Sequence, residues 1–211
     1  TTAIRVIRMS DAKKNRGSRS GFDRRAFLKG SGAAAAATAV HASSVGAQES
    51  TGSDIESGWK KIKLNVNGTS VTVNVEPRTT LLEVLRYQLN LTGAKPVSLD
   101  GSSGASTVLI RGKPKMASTT LAISCRRKKI ETVESLGGEN PDAVVQAFVD
   151  NDALQCGFCT AGFVVAVRAF LNKNPRASEK DIRAGLNGNI CRCGTYVGII
   201  DAAISVAKGG K

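Results

Sequence analysis

Histidine is almost absent from this chain: among 211 residues only His41 carries an imidazole, and it lies in a segment that reads as a removable leader. The processed protein would then own no imidazole. That excludes Cys–His nucleophile pairs, Rieske-type centres, His-ligated haem and mixed Cys/His zinc together. Membrane-length apolar runs are missing too: the weakly apolar stretch from Ala33 to Val40 is far too short to cross a bilayer, so no transmembrane segment is expected. Aromatic residues make up 4 %, and none interleaves the basic run Arg126-Arg127-Lys128-Lys129, which reads as a solvated loop. No convincing acid–base pair stands out, so no bond chemistry, and no catalytic residue, is expected on this chain.

Acidic residues are the minority, with 17 Asp/Glu against 30 Lys/Arg and a net charge of +13. The imbalance is concentrated at one end. Residues 1–47 hold nine of the basic residues and only Asp11 and Asp23, which leaves 21 basic against 15 acidic in the remainder. That is ordinary for a protein docking on an acidic partner and does not call for nucleic acid. The leader has an ordered grammar. Arg24-Arg25-Ala26-Phe27-Leu28-Lys29 is a twin-arginine signal, the alanine-rich stretch follows, and Val45-Gly46-Ala47 resembles a small-residue cleavage site.

Cysteine is scarce and almost wholly committed to one pattern. Cys156-Gly157-Phe158-Cys159 and Cys191-Arg192-Cys193 are two close pairs, and Cys125 is the only other cysteine. Four thiolates from two segments suit an iron–sulfur cluster or a structural zinc, and two disulfides remain a third possibility. Cys-x-Cys is strained as a disulfide, and zinc more often takes Cys-x2-Cys in both halves, so spacing favours the cluster. Cys125 reads as a buried structural cysteine.

The hydrophobic period changes along the chain. Residues 48–57 are a polar, Gly/Ser-rich linker. Ile62, Leu64 and Val66 alternate, Asn67-Gly68 turns, and Val71, Val73 and Val75 alternate back, which predicts a hairpin. Thr80-Leu81-Leu82-Glu83 is a capping box opening a helix to about Leu89. After a loop, Thr107–Ile110 predicts a buried strand turned by Gly112-Lys113-Pro114, and Lys129 to Val133 a last strand. Past Gly137-Gly138 the pattern is helical. Asn140-Pro141 predicts a helix start, Thr160 to Leu171 is apolar almost all round, Ser178–Asp181 is another cap, and Tyr196, Ile199, Ile200, Ala203 and Ala207 share one face of a final helix. An α+β fold is expected: residues 58–136 as a small sheet with a helix across it, and 137–211 as four short helices carrying the cysteines.

Gln155-Cys156-Gly157-Phe158-Cys159-Thr160 and Gly188-Asn189-Ile190-Cys191-Arg192-Cys193-Gly194-Thr195-Tyr196 closely resemble the helical-domain signatures of one family. It is the [2Fe–2S] small subunit, or domain, of the xanthine oxidase and aldehyde oxidoreductase family of molybdenum hydroxylases, and the resemblance runs from about Lys61 to Ala207. The leader looks like that of periplasmic aldehyde oxidoreductases. The resemblance implies an N-terminal β-grasp, ferredoxin-like domain followed by a four-helix bundle. It implies Cys156, Cys159, Cys191 and Cys193 as ligands of one [2Fe–2S] cluster, Gln155 as a hydrogen-bond partner of the molybdopterin cofactor held by a large partner subunit, and Cys193 as the ligand lying against that pterin.

One stretch departs from the family. Where the family reads G-x-K-x-G-C-D-x-G-x-C-G-A-C-T-V, this chain has serine at Ser98, Ser103 and Ser106, a further serine at Ser118, and Val97 in place of the preceding glycine. Serine oxygens are hard, basic donors poorly suited to a [2Fe–2S] unit in water. The implied function is a single-cluster electron-transfer subunit of an oxidoreductase complex, exported folded to the periplasm, with a flavin subunit or a cytochrome c as acceptor. Two alternatives stand beside it: a non-redox scaffold with zinc or disulfides at the four cysteines, and an export carrier for a leaderless catalytic partner.

Overall fold

Alternation of apolar and polar residues puts one face of a hairpin inside. In the computed structural model, which describes residues 56–209, β1 (Lys60–Val66) and β2 (Thr69–Val75) pair antiparallel with Ile62 opposite Val73 and Leu64 opposite Val71. The leader, its twin arginines, His41 and the linker up to residue 55 lie outside the described residues. Asn67 and Gly68 both have positive φ, 51° and 83°, the geometry that matches the right-handed twist of the flanking strands.

Thr80 caps α1 (Leu81–Glu83) reciprocally with Glu83, as the sequence predicts. The helix then widens into a π turn over Val84–Gln88, where the Leu89 N–H reaches back five residues to the Val84 carbonyl. Asn90, with φ 54°, ends it. β3 (Thr107–Ile110) is buried along its length, and β4 (Lys113–Met116) returns beside it. Here the turn is Arg111-Gly112, both at positive φ, and Lys113 and Pro114 belong to the strand itself. β4 is an edge strand, so a proline without an N–H is tolerated there. β5 (Lys129–Glu131) stops two residues before the expected end, where Val133–Leu136 forms a 3-10 turn.

The sheet order is β2-β1-β5-β3-β4, with β5 parallel to β1 and antiparallel to β3. Both edges are guarded. On β2 the Gln88 side-chain amide accepts from the Asn74 N–H at 3.3 Å and donates to its carbonyl at 2.9 Å, and on β4 Pro114 sits between two exposed lysines. The basic run after Cys125 is not simply a solvated loop: Arg126 forms a two-pronged ion pair with Glu56, and Lys129 lies in β5 beside Glu131.

Four helices follow: α2 (Ala143–Asp150), α3 (Thr160–Lys173), α4 (Glu179–Gly185) and α5 (Tyr196–Ala207). The cap of α2 is Asp142, whose carboxylate accepts from Val144 N–H, two residues later than Asn140-Pro141 suggested. Asp142 also pairs with Arg168 of α3 and so ties the two helices. Ser178 and Asp181 form the expected box on α4. Among the described residues no helix is long and apolar enough to cross a membrane.

Two cores result. One lies between the sheet and α1, around Leu64, Leu81, Leu85 and Ile130; the other lies among the helices, around Phe148, Phe163, Ile182 and Ile199. α3 is apolar on all sides because it serves both groups of elements, packing on β3 and β4 as well as on α2 and α5, with Leu109, Val165 and Ala169 as the join. At Gly162 the loop before β3 comes so near that a Cβ would collide with the Gly104 carbonyl oxygen. Gly162→Val is therefore expected to lower stability by on the order of 1–3 kcal/mol, read as an earlier midpoint in chemical denaturation. An unchanged midpoint would show that the loop yields.

Candidate metal centre

Both cysteine pairs sit on tight turns that meet at the starts of helices. Gly157, with φ 82°, lets the chain fold between Cys156 and Cys159, and Cys159 is the residue from which α3 starts. Gly194, with φ 81°, does the same between Cys193 and α5. Helix starts offer unpaired N–H groups and partial positive charge, which favour thiolate.

The thiols influence one another across the two segments, Cys156 with Cys193 and Cys159 with Cys191. All four thiols are free, and so is Cys125. Burial pushes Cys159 up to about 12, helped by its thiol bond to Cys191. On Cys191 burial acts upward but is overcome by the Thr195 hydroxyl, at 3.1 Å, and by the N–H groups of Thr195 and Gly194, which bring the thiol down to about 7. Cys156 is lowered by the Phe158 N–H and by the Cys193 thiol, whereas Cys193 is raised by donating to Cys156. Ligation would favour the deprotonated form of all four and release whatever protons they hold.

This donor set fits an iron–sulfur cluster. It has four sulfurs, no imidazole or carboxylate, and N–H groups directed at sulfur, the contacts that stabilise cluster charge. Thr160 Oγ1, one residue beyond Cys159, is buried and finds no hydrogen-bond partner among the described residues, so a donor awaits an acceptor at this place. Four thiolates would equally serve a structural zinc, and among the described residues no group of three or more His, Cys, Asp or Glu side chains is preformed around a single point.

Several neighbours were not legible as site residues. The Cys191 N–H donates to the Tyr196 hydroxyl at 2.8 Å, and the Tyr196 ring stands edge-on to Phe163 with centroids 6.1 Å apart. Tyr196 thus reaches back to the Cys191 turn, instead of lying only on the inward face of α5 as its spacing suggested. Thr195 and Thr160 belong to the quoted motifs, but only the Thr195 contact with Cys191 and the unpartnered Thr160 hydroxyl single them out. Gln155 and Arg192 are exposed. Cys125 is sealed in the sheet core with its thiol raised by burial, far in character from a ligand.

The four singled-out serines also come together. Ser98 and Ser103 hydroxyls are 2.7 Å apart, the Ser106 hydroxyl donates to Ser118 at 3.0 Å, and the Ser103 and Ser118 N–H groups are taken up by Ser98 and Ser106. Every one of these oxygens is engaged by another.

Comparison with known proteins agrees with this geometry. A family model described as a [2Fe–2S] binding domain matches residues 132–204, and a twin-arginine translocation pathway signal sequence matches residues 21–41. The aldehyde oxidoreductase iron–sulfur-binding subunit PaoA of Escherichia coli O157:H7 is 36% identical, with 88% of each chain covered. The nicotine 6-hydroxylase small subunit of Paenarthrobacter nicotinovorans is 38% identical over 68% of this chain and 87% of its own. Among solved structures, quinoline 2-oxidoreductase from Pseudomonas putida 86 superposes with a TM-score of 0.69 at 40% identity, covering 73% of this chain and 97% of that one. These relatives are parts of oxidoreductase complexes.

Proposed function

Because this chain belongs to the family of small [2Fe–2S] subunits of xanthine oxidase and aldehyde oxidoreductase type enzymes, we propose that it is the electron-transfer subunit of a periplasmic molybdenum hydroxylase. Cys156, Cys159, Cys191 and Cys193 hold one [2Fe–2S] cluster, which supplies one-electron transfer when bound. Residues 58–136 form a β-grasp, ferredoxin-like domain without a cluster of its own, and 137–211 a four-helix bundle around the metal-binding turns.

The observation that carries this reading is the sidedness of the thiol set. Cys159 and Cys191 face the helical core, whereas Cys156 and Cys193 are exposed on one surface with Gln155. Exposed Leu154, Phe158, Ile190 and Val197 lie along the same two segments, a polar-rimmed apolar surface of the kind a large subunit covers. On that face Gln155 bonds the pterin of the partner's molybdopterin cofactor and Cys193 lies nearest to it. The partner subunit oxidises an aldehyde or N-heterocycle, and this chain carries no group for that chemistry. Twin-arginine export suits a chain whose thiolates are loaded before crossing the membrane. With serines at 98, 103, 106 and 118, the sheet domain offers no second relay towards a flavin, which favours a cytochrome c acceptor near the helices.

Iron and acid-labile sulfide analysis with electron paramagnetic resonance of the reduced protein tests this directly. About two irons and two sulfides per chain with one rhombic signal are expected. About four irons with two signals would overturn the serine reading. Zinc or metal-free protein would overturn the cluster.

A further inference from the structure

We propose that the serine loop, residues 98–106, is a positioning strut for the metal-binding turns: the Ser98–Ser103 hydroxyl pair fixes two carbonyls that hold Asn189 and Ile190 immediately before Cys191. This rests on the reading that the four C-terminal cysteines ligate the cluster.

The contacts are specific. Ser98 Oγ accepts the Ser103 N–H at 2.9 Å and pairs with the Ser103 hydroxyl at 2.7 Å, which closes residues 98–103 into a ring. From that ring the Ser103 carbonyl accepts the Ile190 N–H at 3.0 Å, and the Gly104 carbonyl accepts the Asn189 side-chain amide at 3.0 Å. Residues 189 and 190 lead directly into Cys191. Thr107 adds its N–H and hydroxyl to the same Gly104 carbonyl, so the acceptor is anchored from the strand side as well.

The same loop also reaches the helix that starts at the other cysteine pair. Gly104 has φ 69° and lies so close to Gly188 and Asn189 that a side chain would strike both, and its carbonyl oxygen abuts Gly162, three residues into α3 from Cys159. One short segment is thus wedged between the two elements that carry the four thiols. Moving it changes the spacing of Cys159 relative to Cys191. A cluster tolerates little error in its ligand positions, so the strut acts on the centre without touching it. Ser98, Ser103 and Asn189 are positioning residues, half-buried and outside the ligand set.

Asn189→Ala, Ser98→Ala and Ser98→Thr, each purified as the full chain in its native complex, test the strut. The readouts are iron per chain, the reduced-state electron paramagnetic resonance signal, the rate of iron loss to a colorimetric ferrous chelator, and the thermal midpoint. Asn189→Ala and Ser98→Ala are expected to bind iron but lose it about tenfold faster, the equivalent of one hydrogen bond, with a broadened or shifted signal. Ser98→Thr, which keeps the hydroxyl, is expected to restore both. Normal iron loss and an unchanged signal in both alanine variants, with only the thermal midpoint lowered, would reduce the loop to ordinary packing and overturn the strut alone. A wild-type chain without iron would overturn the proposed function and the strut with it.

Discussion

Cys191→Ala is expected to yield a colourless chain without detectable iron. Cys191 is the most enclosed of the four thiols, flanked by Thr195 Oγ1, by the Thr195 and Gly194 N–H groups and by Cys159. Removing its sulfur leaves those donors aimed at nothing and Cys159 without its partner, and three thiolates cannot complete two iron sites. Circular dichroism should still report helices, because the core around Phe163 and Ile199 does not depend on the sulfur. Cys125→Ala is the matching control: its thiol lies in the other core, so the iron content should be unchanged. Visible absorbance and reduced-state paramagnetic resonance check both variants, and full iron in Cys191→Ala would remove Cys191 from the ligand set.

Replacing Arg24 and Arg25 together by lysine is expected to abolish export. The change keeps both positive charges and so isolates the guanidinium pair, the feature that distinguishes a twin-arginine leader from a merely basic one. The signal sequence match over residues 21–41 contains both arginines. Fractionation should find the double variant in the cytoplasm with its iron intact, since the metal-binding turns lie far along the chain and need no leader to form. A large subunit lacking its own leader would be stranded with it. Normal periplasmic yield would mean that another route carries the chain.

What could be read from the residues was local and periodic. Ile62, Leu64 and Val66 announce a buried face by alternation alone, and Asn67-Gly68 names its turn. Thr80 with Glu83 and Ser178 with Asp181 declare helix starts because a cap needs only residues three apart. The two close cysteine pairs stand out by their spacing and by the motif around them. Where the reading slipped, a distant contact decided. Asn140-Pro141 looked like a start, but Asp142 holds that place while also pairing with Arg168, which no local pattern reveals. Lys113 and Pro114 looked like a turn, yet β3 has an open side that accepts a strand with a missing donor. Tyr196 fits a helical stripe, and only its hydroxyl at the Cys191 N–H shows that it serves the turn. The serines stand out in the sequence as departures from the family pattern. Their pairing with one another, and the grip of their loop on Asn189 and Ile190, depend on three segments folding together.

The guarded sheet edges bear on the interval before export. On the proposed function, a chain that is loaded with iron before export and then meets a large subunit would spend time folded among many identical copies. An open strand is then the main hazard, because its free N–H and carbonyl row can recruit a strand from the next copy and grow a ribbon. The Gln88 amide occupies the Asn74 backbone groups on β2 as a one-residue surrogate strand, and Lys113-Pro114-Lys115 gives β4 a missing donor and two like charges. At these two places a strand from a neighbouring copy would find its pairing partners already taken or missing, which is where the two edges resist growth into a ribbon.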